Sequence, residues 1–429
     1  MKKARGYKEN ITYLGVLKIS KWFMLFMPVI IPFYECFHLS MKEILILQSV
    51  YSISMLALEI PSGYAADMLG RRVTLLLGGI LGFAGFTIYI FADSFWYFLI
   101  AEIILGAGMS FISGSDSAML YDSLVHLKKQ NDYAKYEGRI SAIGNFAEAI
   151  AGIAGGALAL YFRKAHDCYG YHNIFILQSI VALLAVPSAL LLTEPERTVI
   201  KQKNAWNNIF KISEYSLIKN HFLRNNIIFS ALTGSATLTM AWFVQKIFLE
   251  NKITNEFILG ILWTALNVSV GIFTLFAFKV DKKLGQINTM ILIAVLIGLC
   301  YVFLKSATGY IAMMVIFIFY FARGIATPVL KDYINRITVS EVRATVLSLR
   351  SFIIRIIFAT TSPLMGWITD CFNIGTALCY AGIFYFTLSV FFIIKVKKLQ
   401  NKIQIESILK EQTRIYTEDR HEKIEYIGY

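Results

Sequence analysis

The sequence predicts an all-α integral membrane protein with twelve transmembrane helices in two six-helix bundles. Three observations predict it. Of 429 residues, 57% are hydrophobic and 16% charged, and mean hydropathy is +0.59. A soluble domain carries about 25% charged residues. Apolar runs long enough for a bilayer core, about 20 residues each, recur twelve times. All the connections between them are short except one, which follows the sixth run.

The spans are expected at 11–34, 41–66, 73–93, 97–125, 135–161, 172–193, 224–249, 255–279, 287–305, 309–334, 342–369 and 375–396. Lys2, Lys3, Arg5 and Lys8 precede the first run, and no small-residue cleavage site follows it. It reads as an uncleaved first span rather than a signal peptide. Residues 1–193 then form one bundle, 194–223 a polar linker entered through Thr193-Glu194-Pro195-Glu196-Arg197, 224–396 a second bundle and 397–429 a charged tail. Two fused half-units would have this layout. The halves echo each other. Tyr121-Asp122 and Arg139 in the first match Lys331-Asp332 and Arg343 in the second. Asp281-Lys-Lys-Leu-Gly285 is a degraded counterpart of Asp67–Arg72, one residue too long between acid and glycine.

Charge sets orientation. Of the 41 Lys and Arg, 30 fall on the side of the N-terminus and 5 in the opposite loops. The positive-inside rule then puts both termini in the cytoplasm. Heavy use of Lys, Ile, Asn and Tyr suggests a bacterial chain, hence the bacterial cytoplasmic (inner) membrane. The net charge of +13 needs no nucleic acid, because the basic loops face anionic lipid. Five cysteines form no CxxC pair and no metal spacing. Cys36 and Cys168 both fall in outer loops, which permits a disulfide. No phosphate-binding Gly-rich Lys-Ser/Thr loop, metal cluster or nucleophile–base pair is present. The expectation is no cofactor, no metal and no enzyme.

The most informative stretch is Gly63 to Arg72, Gly-Tyr-Ala-Ala-Asp-Met-Leu-Gly-Arg-Arg, between the second and third spans. Its glycines allow a tight reversal. Asp67 can pair with Arg71 or Arg72. The run resembles the loop at the same place in the major facilitator superfamily, G-x-x-x-D-x-x-G-R-[RK], which Gly63, Asp67, Gly70, Arg71 and Arg72 fit. Glu59-Ile-Pro-Ser-Gly63 also resembles a bacterial branch of that superfamily. The resemblance implies the superfamily's fold, a single working chain, and alternating-access transport of a small molecule. It further implies a gate in which Asp67, Arg71 and Asp122, with Arg139 nearby, dock on the Ser340–Arg343 stretch.

Proton-coupled efflux of a drug-like or amphiphilic molecule is the expected activity, with protons and that solute as partners. Two departures weaken it. Proton-driven exporters of the superfamily carry Arg on span 4, four residues before a glycine, where this chain has Glu102 before Gly106. They also carry G-x-x-x-G-P-x-x-G-G on span 5, where Ala147–Gly156 keeps only the final glycines. Import of a sugar or metabolite by symport or uniport is the alternative. A non-transporting sensor or scaffold is a second one.

An ionisable side chain inside the bilayer faces a cavity or a partner. Glu148 lies near mid-span, where a lone carboxylate suits reversible protonation. Asp116 sits in the small polar run Ser113–Ala118 and is the second proton candidate. Lys18 and Glu59 match in depth and are expected to pair, with Lys21 one turn deeper. Arg323 lies on span 10, and Arg350 and Arg355 lie on span 11. Depth suggests Glu148 with Arg355. Trp242 and Gln245 on span 7 are expected to border the cavity.

Overall fold

The computed structural model describes residues 2–195, 205–339 and 342–425, without the side chains of 2–5, 60, 67, 131, 134, 205–209, 344 and 403–425. All regular structure among them is helical. In chain order the helices are α1 Lys2–Trp22, α2 Ile30–Cys36, α3 Met41–Leu69, α4 Arg71–Phe91, α5 Phe95–Ile112, α6 Ser115–His126, α7 Tyr133–His166, α8 Gly170–Leu183, α9 Ala185–Leu191, α10 Ala205–Glu214, α11 His221–Glu250, α12 Glu256–Thr274, α13 Ala277–Phe303, α14 Gly309–Ile337, α15 Arg343–Cys371 and α16 Ile374–Glu425. Eleven stretches are long and apolar enough to cross a membrane. The longest, Lys135–Leu191, has 57 residues and holds both α7 and the α8–α9 pair. It reverses at Asp167, whose φ is +49°. Twelve crossings result.

Four crossings are broken inside the expected spans, and one of the four, the eighth, breaks at Leu275 and Phe276 between α12 and α13. The first stops at Trp22 and resumes as α2 after a short turn at Met27–Val29 that contains Pro28. The fourth breaks at Gly114, φ +79°, so the small polar run ends α5 and starts α6. The sixth has a break at Leu184 between α8 and α9. The eighth and ninth meet inside α13 at Gly285, with φ +75° and ψ +167°. Gly70, between α3 and α4, has φ +104° and ψ +149°. Both glycines occupy backbone space that is almost closed to other residues.

Two faces follow. The basic face carries the start of α1, Gly70 and Gly285. The opposite face carries a disulfide between Cys36 and Cys168 and is termed the disulfide face. The crossings of α1–α9 pack chiefly on one another, as do those of α11–α16. The main contacts between the two sets are α3 with α15 and α7 with α12. Small residues permit the second. A Cβ on Gly156 would lie 2.5 Å from the Glu256 carbonyl and 2.9 Å from Gly260 Cα, so these backbones touch as apolar helices do at glycine stripes. α10 lies in the linker. Residues 196–204 and the Ser340–Glu341 pair lie outside the described residues.

Candidate functional site: charges between the two halves

α2 is the centre of the disulfide face. Within the first half, Cys36 ties it to Cys168 and the Tyr34 hydroxyl donates to Glu102 at 3.1 Å. Toward the second half, Glu35 pairs with Lys246 at 2.6 Å. The Gln245 amide bonds both ways, donating to the Met27 carbonyl at 2.5 Å and accepting from the Ile31 N–H at 3.2 Å. Nearby, Glu256 accepts from Arg163 and from the Tyr171 hydroxyl. Asp370 of α15 accepts from Met41 N–H and Lys42 N–H at 3.0 and 2.9 Å, placing an anion at the start of α3 where the helix dipole favours it. Deeper, Ser49 meets Ser362 at 3.2 Å and Thr264 donates to the Ala149 carbonyl at 3.1 Å. Among the described residues, the hydrogen bonds and ion pairs between the halves run from the disulfide face to mid-depth. Gln245 therefore belongs to this closure, 2% exposed, rather than to a cavity wall. Trp242 is packed against the core.

At mid-depth the pairings differ from those expected. Lys18 pairs with Asp116 at 3.6 Å rather than with Glu59. The break at Gly114 swings Asp116 onto the first turn of α6, toward α1. Glu59 instead feels Arg355 of α15, and Lys21 lies in the field of Asp116, Lys18, Arg355 and Glu137. The charge acting on Glu148 is Arg323 of α14, not Arg355. Arg323 also lies 5.4 Å from the Tyr320 ring centre. Depth along a helix fixes height but not azimuth, and azimuth decides these pairs.

Glu148 has a setting that no motif announced. Gly144, Glu148 and Gly152 are spaced by four and share one face of α7. A Cβ on Gly144 would lie 3.1 Å from the Trp22 ring, and one on Gly152 would lie 3.3 Å from the Trp263 ring. The first indole comes from the first half and the second from the other. Both indole N–H groups are buried and without a partner among the described residues. Glu148 thus lies on the α7 face that packs on the two indoles, in the field of a guanidinium from the other half.

Glu102 stands apart. It is 6% exposed inside the first half. Its Oε1 accepts from Tyr89 at 2.6 Å, Gln48 at 3.0 Å and Tyr34. These neutral donors satisfy it where exporters carry a cation. Arg350 is buried in the second half with its Nε donating to Ser230 Oγ at 2.5 Å.

On the basic face, Arg71 pairs with Asp122 at 2.5 Å and donates to the Ala118 carbonyl. The Arg71 and Arg72 N–H groups donate to the two Glu194 carboxylate oxygens at 2.9 and 2.7 Å. Arg72 also donates to the Leu190 carbonyl at 2.5 Å. The sequence reading missed Glu194. The available signal was an acid just after the sixth span, on the same face as the start of α4. The Asp67 side chain lies outside the described residues. Arg343 donates to the Asn335 and Thr338 carbonyls of its own half, both at 3.4 Å. Arg139 is exposed over the Tyr136 ring, 5.8 Å from its centre, and the ion-pair partner of Asp122 among the described residues is Arg71. Gly63 is exposed, with nothing within 4 Å of a Cβ built there.

The sequence profile of the Major Facilitator Superfamily matches residues 19–326. The chain belongs to the major facilitator superfamily. It is 24% identical over 180 residues to Sugar transport protein 12 of Arabidopsis thaliana, a match covering 42% of this chain and 32% of that relative's length. Solved transporter structures resemble it over nearly their whole length. A mutant of the nucleoside transporter NupG gives a TM-score of 0.75 at 13% identity, covering 91% of this chain and 99% of that one. A D-xylose–proton symporter gives 0.67 at 16%, covering 89% and 95%. A bacterial homolog of the human lysosomal transporter Spinster, inward-facing and unoccupied, gives 0.67 at 16%, covering 91% and 95%. This superfamily member is a multi-pass membrane protein of a transporter family.

Proposed function

We propose that this superfamily member is a proton-coupled secondary transporter of a small organic solute. It works by alternating access in a bacterial cytoplasmic membrane, with the basic face and both termini in the cytoplasm. One chain is the working unit, and residues 1–193 and 224–396 rock against each other around mid-depth. The observation that carries this reading is Glu148, in the field of Arg323 from the other half and on the face of α7 that packs on Trp22 and Trp263. Protonating Glu148 removes the negative charge that acts with Arg323 and leaves the guanidinium to the solute. Solute and proton then travel together.

Uptake is therefore the leading direction. Export against incoming protons, expected from the Glu59–Arg72 resemblance, is the second reading. In it, solute and proton compete for Glu148. The departures at Glu102 and Ala147–Gly156 count against it. Gly63, Asp67, Gly70, Arg71, Arg72, Asp122 and Arg343 form the basic-face gate in this reading, with Glu194 added as the clamp on Arg71 and Arg72.

The test is proton movement into proteoliposomes on addition of D-xylose, uridine or succinate. Solute-dependent flux that disappears in Glu148→Gln is the expected result. Silence with all three solutes, or an undiminished flux in Glu148→Gln, sinks the proposal. Flux toward the solute-rich side instead of away from it selects export.

A further inference from the structure

We propose that the Arg350 guanidinium, with Lys331 beside it, binds an anionic group of the solute, a carboxylate or a phosphate. This rests on the transport reading and names the charge class of its solute.

Arg350 is 7% exposed, seven residues into α15. Ser230 of α11 takes its Nε–H, which fixes the plane of the guanidinium. Nη1 and Nη2 have no partner among the described residues, yet neither is sealed from solvent. They form an unused fork. No described carboxylate acts on Arg350. Its charged neighbour is a second cation, Lys331 of α14, exposed and six residues from the helix end. Ser230, Arg350 and Lys331 thus sit at similar depth on three helices of the second half.

A buried cation without a counter-ion is costly, and a like charge beside it adds to the cost. Buried charges are ordinarily paired or bind something. The missing partner is an anion, and a planar fork of two N–H donors matches a carboxylate or phosphate in a bidentate way. The wider balance agrees. Lys21 lies in the field of Asp116 and Glu137, Arg355 acts on Glu59 and Arg323 on Glu148, so the cations nearer mid-depth have acids to face. Adding Arg350 and Lys331 leaves cations in excess. A neutral sugar would leave that excess standing, whereas an anion offsets it. Uptake of an anion with protons also avoids building up negative charge inside.

The test is the melting temperature of the full chain in detergent with inorganic phosphate or succinate, against chloride at equal ionic strength. The expected result is a saturable rise with one of the two oxyanions, and which one responds separates phosphate from carboxylate. Arg350→Gln should weaken that response at least ten-fold, Arg350→Lys less, and Lys331→Gln less again. Without anion, Arg350→Gln should melt no lower than wild type, because it removes an uncompensated charge. An Arg350 that merely braces α11 against α15 would give the reverse, a lower melting point with the oxyanion response retained. That pattern, or no response in wild type, overturns the proposal. Glu148→Gln should keep the oxyanion response while losing proton flux, so the two readings fail separately.

Discussion

The turns at Gly70 and Gly285 use one backbone device with two chemistries. Each is a glycine in left-handed backbone space between two consecutive crossings. After Gly70 the new helix is held by an acid from elsewhere, Glu194, and its arginine reaches back to Asp122. Before Gly285 the acid is local. Asp281 is buried, accepts from the Tyr333 hydroxyl and lies 3.9 Å from Arg336 of α14. The conformation survives where the motif has decayed, because only glycine tolerates it. The charge pattern is free to drift, because several arrangements can tie a turn to the neighbouring crossing.

The comparison can be broken in three ways. Alanine at either glycine should cost about 1–3 kcal/mol in backbone strain. Gly70→Ala should cost more than Gly285→Ala. Its Cβ would sit 3.2 Å from the Glu194 carboxylate, whereas nothing lies within 4 Å of one at Gly285. Melting in detergent checks this, and equal losses would show that Glu194 gives way freely. Next, Glu194→Gln should lower stability by about 1–2 kcal/mol, since it weakens two charge-assisted bonds at a helix start. An unchanged melting point would make Glu194 a bystander. Smallest is Arg336→Gln. Arg336 is 62% exposed and its other pairing is with Asp332 on the same helix, so the loss should stay under about 1 kcal/mol. A larger loss would mean that the second turn depends on charge as much as the first does.

Much of the fold was legible in the sequence. Twelve apolar runs gave twelve crossings, since bilayer thickness sets their length regardless of partners. The breaks at Met27–Val29, at Leu184 and at Leu275 and Phe276 were not legible, because hydropathy does not change across them. The polar run at Gly114 was visible but read as a site for Asp116 rather than as a helix end. The disulfide was legible only as a possibility of placement on one face. For the charges, height was readable and pairing was not. Lys18 with Glu59 and Glu148 with Arg355 were reasonable by depth, and rotation about the helix axes chose Asp116 and Arg323 instead. Trp22 and Trp263 were invisible as site residues. Only the glycines at 144 and 152, spaced four either side of Glu148, hinted at groups packed there.

The central claim is that the two faces open alternately. Distances between paired spin labels measure it most directly, one pair at Tyr64 and Val339 on the basic face and one at Tyr169 and Phe372 on the disulfide face, all exposed. Cys300, Cys371 and Cys379, the free cysteines, would first be replaced. On lowering the pH with solute present, the basic-face pair should draw together while the disulfide-face pair separates, and Glu148→Gln should change that response. Distances that stay fixed, or that shorten at both faces together, would contradict alternating access in this chain.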